Sequence, residues 1–202
     1  MNGLYIVTPD WDDTKKLVEV TEQALRGGAE IVQYRHKTAD QALRKEQARE
    51  LMSLCCRYRK PFIVNDHVEL ALEIGADGIH VGGTDAAIAE VRKQVGPTKI
   101  IGASCYGDLE LAEAAHAAGA SYVAFGGFYP SRVKKYPVTT SVDIIAQSKA
   151  LVSLPVVVIG GMTPENAVPL VAAGTDMVAA ISSVYMQADP EAAARKFADL
   201  FR

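Results

Sequence analysis

Arg35, Lys37 and Lys134 are the side chains that first suggest chemistry in this sequence. Arg35 and Lys37 end the segment Gln33-Tyr34-Arg35-His36-Lys37. Lys134 sits in the loop that contains Tyr129-Pro130-Ser131-Arg132-Val133-Lys134. Long cationic side chains facing one mouth suit a polyanion. A second anion-binding pattern reads Gly160-Gly161-Met162-Thr163 and, further on, Ser182-Ser183. Glycine lets a ligand approach the backbone, and the start of a helix offers free N–H groups. Asp66 and Asp85 follow neighbouring apolar runs. Two such carboxylates either share one Mg2+, with waters and ligand phosphates, or are turn and N-cap aspartates. Their chemistry alone does not choose. His36 and His67 read as general acids or as exposed loop residues, whereas His80 lies inside an apolar run and is expected to hydrogen-bond in the interior. No nucleophile–base pair is recognisable, and nothing near Cys105 would lower a thiol pKa. Two anion sites and a carboxylate pair describe an enzyme acting on a diphosphate and a monophosphate. A transferase with pyrophosphate as leaving group fits better than a hydrolase, because a strong base is lacking.

These residues need elements to bring them together. Eight short apolar runs rich in β-branched residues are expected as strands: residues 4–8, 30–35, 61–65, 78–82, 99–104, 121–126, 155–159 and 176–182. Continuous runs such as Val156-Val157-Val158-Ile159 suit strands buried on both faces of a parallel sheet. Amphipathic helical patterns lie between them, for example Ala48, Leu51, Met52 and Cys55, or Ile88, Val91 and Val95. Thr38-Ala39-Asp40-Gln41 fits a capping box, and Thr163-Pro164-Glu165 and Asp189-Pro190-Glu191 fit an N-cap followed by proline. A glycine-led helix-to-strand connection recurs as Gly28-Ala29-Glu30, Gly75-Ala76-Asp77, Gly119-Ala120-Ser121 and Gly174-Thr175-Asp176. Strict alternation implies parallel strands with right-handed crossovers, and eight strands favour an α/β fold, a single (β/α)8 TIM barrel, over an open doubly wound sheet. The first strand is not followed by G-x-G-x-x-G, which disfavours a dinucleotide fold. In a barrel, every polar segment above falls at the C-terminal end of a strand, where active sites form.

The chain has 202 residues, which one such domain over 1–202 would fill at about 25 residues per strand–helix unit. Hydrophobic residues make up 49% and charged residues 22%, with a net charge of −3, so nothing points to nucleic acid or a membrane surface. No segment reaches the length of a membrane-spanning helix, and the N-terminus reads as no signal peptide. Three cysteines argue against a disulfide framework and fit the cytoplasm, with Cys55 and Cys56 expected as buried thiols. The sequence leaves a homo-oligomer open.

The same segments resemble the thiamin phosphate synthase family over essentially the whole chain. The segments that carry the resemblance are Gln33-Tyr34-Arg35-His36-Lys37, Asn65-Asp66, His80-Val81-Gly82-Gly83-Thr84-Asp85, Gly102-Ala103-Ser104, Pro130-Ser131-Arg132-Val133-Lys134, Ile159-Gly160-Gly161-Met162-Thr163-Pro164-Glu165-Asn166 and Ile181-Ser182. No single motif is decisive, but seven in order, each at a strand end, are specific together. The resemblance implies a Mg2+-dependent reaction of 4-amino-2-methyl-5-(diphosphooxymethyl)pyrimidine with 4-methyl-5-(2-phosphonooxyethyl)thiazole, giving thiamin phosphate and pyrophosphate. By that resemblance Arg35, Lys37, Asn65 and Lys134 would hold the pyrimidine diphosphate, with Arg35, Lys37 and Lys134 as the catalytic cations. Gln33 and Ser104 would place the pyrimidine, and Asp66 and Asp85 would bind Mg2+. Ser131, Gly161, Ile181 and Ser182 would hold the thiazole phosphate. Tyr34, His36, Arg132 and Val133 complete the expected substrate-binding set.

Three positions depart from the family pattern. Gly83 stands where glutamine is usual, Val133 where threonine is usual, and His36 where an acidic residue is common. None touches the metal pair or the basic clamp. Two other readings compete. A thiazole tautomerase-like relative would lack the metal aspartates and carry a histidine near Gly127, against what this sequence holds. A non-catalytic barrel that binds thiazole phosphate or thiamin phosphate would explain Gly83 and Val133 but not the aspartate pair.

Overall fold

The computed structural model describes residues 1–82, 85–130 and 139–202, with residues 85 and 86 as backbone only. Eight parallel strands close into a barrel in sequence order. They are β1 (Gly3–Val7), β2 (Ala29–Tyr34), β3 (Phe62–Asn65), β4 (Gly78–Gly82), β5 (Ile100–Tyr106), β6 (Tyr122–Phe125), β7 (Val156–Ile159) and β8 (Met177–Ala180). Strand β1 pairs with both β2 and β8, which completes the ring. The helices are α1 (Thr14–Arg26), α2 (Gln41–Tyr58), α3 (Val68–Ile74), α4 (Asp85–Val95), α5 (Leu109–Ala117), α6 (Ile144–Leu151), α7 (Pro164–Ala172), the single turn α8 (Ser182–Tyr185) and α9 (Pro190–Ala198). All eight expected strands form, with ends within two residues of expectation. The largest differences are β5, which runs on to Tyr106, and β8, which stops at Ala180 because Ile181 turns into α8. No helix among the described residues is long and apolar enough to cross a membrane.

Period-two alternation splits the apolar residues into two cores. Leu4, Ile6, Val32, Val64, Val156 and Val158 face the helices. Tyr5, Val7, Ile31, Ile63, Tyr122, Val157 and Met177 fill the barrel. Strands β1, β2, β3, β6, β7 and β8 are therefore apolar on both faces, as the continuous runs require, whereas β4 turns His80 into the barrel.

The recurring glycine-led connection has a structural job at the lower rim. Gly28, Gly75, Gly119 and Gly174 all take positive φ, which a glycine tolerates where the chain leaves a helix. The residue two places later then caps a neighbouring strand. Asp77 Oδ2 accepts from Phe62 N–H at 2.8 Å, Ser121 Oγ from Ile101 N–H at 3.0 Å, and Asp176 Oδ2 from Val156 N–H at 2.7 Å. Glu30 instead receives Lys60 Nζ at 2.5 Å. Each cap satisfies a polar group where the chain enters the closed sheet.

Two expected caps hold and one shifts. Thr163 forms a full capping box with Asn166, and Asp189 caps α9. At α2 the cap is Asp40, whose side chain accepts from Leu43 N–H, rather than Thr38. Cys56 is exposed, unlike Cys55, because the two neighbours point to different faces of α2. Burial pushes the thiols of Cys55 and Cys105 up to about 12. Asp77→Ala should lower unfolding stability by about 1–3 kcal/mol by leaving a strand-end N–H unpaired, and Asp77→Asn, which keeps an acceptor, should cost less. Urea denaturation of the two variants checks this.

Candidate active site

The upper rim is built from the first three strands upward. Thr8, just past β1, donates its hydroxyl to Arg35 O at 2.9 Å and accepts Arg35 N–H at 2.8 Å. This double bond pins the end of β2. Asp10 Oδ1 then accepts from Arg35 Nη1 at 3.2 Å and from Lys37 N–H at 3.1 Å. The Arg35 side chain is only 8% exposed, so Asp10 orients a largely desolvated guanidinium. Lys37 itself is exposed.

Tyr34 and His36 also hold the fold together around the site. Alternation turns Tyr34 toward the helices, where its hydroxyl donates to Gln47 Oε1 at 2.9 Å. His36 is buried, not an exposed loop residue. Its Nδ1 accepts from Ala39 N–H at 3.0 Å and its Nε2 lies 3.2 Å from Asp12 Oδ1. Both nitrogens are thus engaged in holding the β2–α2 loop, while His36, like Tyr34, also lines the cavity formed at the ends of β2 and β3.

At the end of β3, Asp66 takes a left-handed φ of 63° and its N–H donates to His80 O at 2.9 Å. Asn65 Nδ2 donates to Asp66 Oδ2 at 2.7 Å. Asn65 pairs with His80 across β3 and β4, and Asp85 opens α4 three residues beyond β4. The two expected metal aspartates therefore follow adjacent strands, although the Asp85 side chain lies outside the described residues. Burial and the Arg44 guanidinium hold the His67 pKa below its ordinary value, which Asp66 only partly offsets. A cavity of about 280 Å3 brings Arg35, Lys37, Asn65 and Asp66 together, and it adds Arg44. Arg44 Nη2 donates to Ala39 O at 2.5 Å, while its buried Nε has no partner among the described residues. Sequence reading overlooked Arg44 because it lies inside a helix rather than at a strand end.

The barrel floor beneath is polar. Gln33 Nε2 donates to the Tyr5 hydroxyl at 2.8 Å, and that hydroxyl lies 2.7 Å from the Tyr122 hydroxyl. His80 Nδ1 lies 2.9 Å from the Tyr122 hydroxyl, and its Nε2 lies 2.8 Å from Ser104 Oγ. His80 is therefore an interior hydrogen-bonding residue, as expected. The buried Cys105 thiol, raised by desolvation, is no nucleophile.

On the opposite side, Gly160 and Gly161 take φ of 104° and 65°. A Cβ on Gly161 would lie 2.3 Å from Pro130 O, so only glycine lets the β6 loop pass so closely. Asn166 Nδ2 ties Gly161 O to the start of α7 at 2.9 Å. A cavity of about 360 Å3 lies here, lined by Gly160, Gly161, Thr163, Ile181, Ser182 and Ser183 among others. Gln33, Ser104 and His80 line a smaller pocket between the two. It shares Arg35 and Asn65 with the first cavity and Ile159, Ala179 and Ile181 with the second. The three form one trough across the barrel mouth. Ser131, Arg132, Val133, Lys134 and Gly83 lie outside the described residues.

Comparison with known proteins agrees with this geometry. A family model described as thiamine monophosphate synthase matches residues 4–184. The thiamine-phosphate synthase of Janthinobacterium sp. (strain Marseille) is 67% identical over all of this chain and 97% of that protein. The thiamine-phosphate synthase of Nitrosospira multiformis is 46% identical over all of this chain and 86% of that protein. Among solved structures, thiamine phosphate pyrophosphorylase from Pyrococcus furiosus superposes with a TM-score of 0.85 at 32% identity, covering 98% of this chain and 95% of that one. A 3-hexulose-6-phosphate synthase matches at a TM-score of 0.72 but 19% identity, a likeness of fold alone. With full-length relatives at this identity and a barrel whose mouth holds the matching strand ends, the chain belongs to the thiamine monophosphate synthase family and is a transferase.

Proposed function

We propose that this chain joins 4-amino-2-methyl-5-(diphosphooxymethyl)pyrimidine to 4-methyl-5-(2-phosphonooxyethyl)thiazole, forming thiamin phosphate and releasing pyrophosphate. The observation that carries the reading is the single trough with a cationic cavity at one end and a glycine- and serine-lined cavity at the other. Two phosphorylated substrates that meet between their anionic ends need such a shape.

Arg35, Lys37 and Asn65 hold the diphosphate, with Lys134 from the β6 loop. Gln33 and Ser104 place the pyrimidine ring. Gly161, Ile181 and Ser182 receive the thiazole phosphate, with Ser131. Tyr34, His36, Arg132 and Val133 border these groups. The C–O bond breaks first and its electron pair leaves with pyrophosphate. The aminopyrimidine stabilises the resulting carbocation, and the thiazole nitrogen supplies the lone pair for the new C–N bond. No proton moves in either step, which accounts for the lack of a nucleophile–base pair among the described residues. Catalysis is electrostatic stabilisation of the departing diphosphate by fixed cations.

The residues present fit Mg2+. Asp66 offers a hard carboxylate in the cationic cavity, with one oxygen steadied by Asn65, and Asp85 follows the adjacent strand. When bound there, Mg2+ neutralises charge on the leaving group. Asp66 and Asp85 would hold it.

Purified protein with Mg2+ and both substrates should release pyrophosphate only when both are present; tight phosphate binding without turnover would refute the reading. Asp66→Asn isolates the charge, because asparagine tolerates the left-handed backbone found there. It should remove Mg2+-dependent turnover while thermal melting stays near wild type. Lys134→Ala should lower kcat/KM for the pyrimidine diphosphate by about a hundredfold if it meets the leaving group. An effect on thiazole-phosphate KM alone would move Lys134 to the other end of the trough.

A further inference from the structure

We propose that Tyr5, Tyr122 and His80 are positioning residues that fix Gln33 as a hydrogen-bond acceptor and Ser104 as a donor toward the pyrimidine, so that the enzyme selects a 4-amino over a 4-oxo ring. The inference rests on the function proposed above and concerns how the ring is chosen.

The five side chains form one hydrogen-bonded circuit. Gln33 Nε2–H donates to the Tyr5 hydroxyl at 2.8 Å. With that oxygen accepting, the Tyr5 proton goes to the Tyr122 oxygen at 2.7 Å. The Tyr122 proton then goes to His80 Nδ1 at 2.9 Å. A neutral imidazole that accepts at Nδ1 carries its proton on Nε2. That proton is donated to Ser104 Oγ at 2.8 Å. Each phenol has one proton to give, so the direction at one end dictates the direction at the other. Burial raises both phenol pKa values, which keeps the two hydroxyls protonated.

Two groups are left over at the pocket. Gln33 keeps its amide oxygen, because its bonds to the phenols are made by the amide N–H, and Ser104 keeps its O–H, because its bond to His80 is accepted at Oγ. Both residues line the small pocket at the middle of the trough. A 4-aminopyrimidine lying between them offers an amine N–H to the Gln33 oxygen and a ring-nitrogen lone pair to the Ser104 hydroxyl. A 4-oxopyrimidine offers the reverse, a carbonyl oxygen and a ring N–H. To accept it, the whole circuit would have to invert: the amide turns over, three hydroxyls rotate and the imidazole changes tautomer. The backbone is shaped around the junction. A Cβ on Gly102 would lie 2.1 Å from the Tyr122 hydroxyl and 2.5 Å from His80 Nδ1. The aromatic rings reinforce it, with Tyr122 stacked on His80 at 24° and edge-on to Tyr5 at 77°.

The test compares the 4-amino pyrimidine diphosphate with its 4-oxo analogue in wild type, Tyr122→Phe and Tyr5→Phe. In the folded variants the ratio of kcat/KM values, amino over oxo, should fall at least about tenfold, with KM for thiazole phosphate moving less than about twofold. A ratio within about twofold of wild type in a folded variant would overturn the inference. A second measurement needs no variant: 15N chemical shifts of His80 in the wild-type protein should report the Nε2–H tautomer, and an Nδ1–H tautomer would refute the circuit. Should wild type make no thiamin phosphate, the proposed function fails. Should it be active with an unmoved ratio, this inference alone fails.

Discussion

Eight strands of four to seven residues close into a ring only if the space inside is filled, and here two tyrosine rings do much of the filling. Tyr5 and Tyr122 are large, fully buried and polar at the tip. A hydroxyl in a low-dielectric interior must be paired or the burial of the ring is largely cancelled. The pairing of these two hydroxyls with each other, with Gln33 and with His80 is therefore a condition of closure. It ties β1, β2, β4 and β6 together across the barrel rather than along the sheet. Gly102 on β5 leaves the room this junction needs. What keeps the barrel shut is thus also the floor on which the trough rests.

Much of this was legible in the sequence because barrels write their constraints periodically. Continuous apolar runs marked strands buried on two faces, and the glycine-led connection marked the even strands. That repeat was seen as a helix ending. Its second purpose, the capping of a neighbouring strand by Asp77, Ser121 and Asp176, depends on which strands are adjacent and so needs the closed sheet. Strand ends were also the right place to search for polar residues. Side-chain direction was less legible. Gln33 and Arg35 turn inward and Tyr34 between them turns outward, as period two demands, yet a contiguous motif hides that alternation. His36 escaped because its partners, Asp12 and the Ala39 amide, come from the loop's own fold. The cap of α2 went to Asp40 rather than Thr38 since both are good caps and only the helix start distinguishes them.

The cationic end illustrates how a site is held ready without being neutralised. Arg35 is nearly buried, and a lone buried guanidinium would be costly. Asp10 takes one of its N–H groups and the following backbone amide, and Thr8 fixes the residue's main chain on both sides. Among the described residues nothing else takes the remaining guanidinium donors, which stay available to an anion. Such a fork is worth more to catalysis than a mobile surface cation, because its orientation is settled before the ligand arrives.

A dissociative substitution asks little proton chemistry of its enzyme, and the interior reflects that. The polar residues under the trough are phenols, an amide, a hydroxyl and an imidazole whose nitrogens are both engaged. Burial raises the phenol pKa values and moves the Cys105 thiol to about 12, so the phenols and the thiol hold one protonation state across the neutral range. A titrating base beneath the reacting carbon would add a charge that varies with pH beside a developing cation. The protonated phenols offer fixed dipoles instead. They can orient the ring that must carry the positive charge while leaving the electrostatic contrast to the anionic end, where pyrophosphate departs.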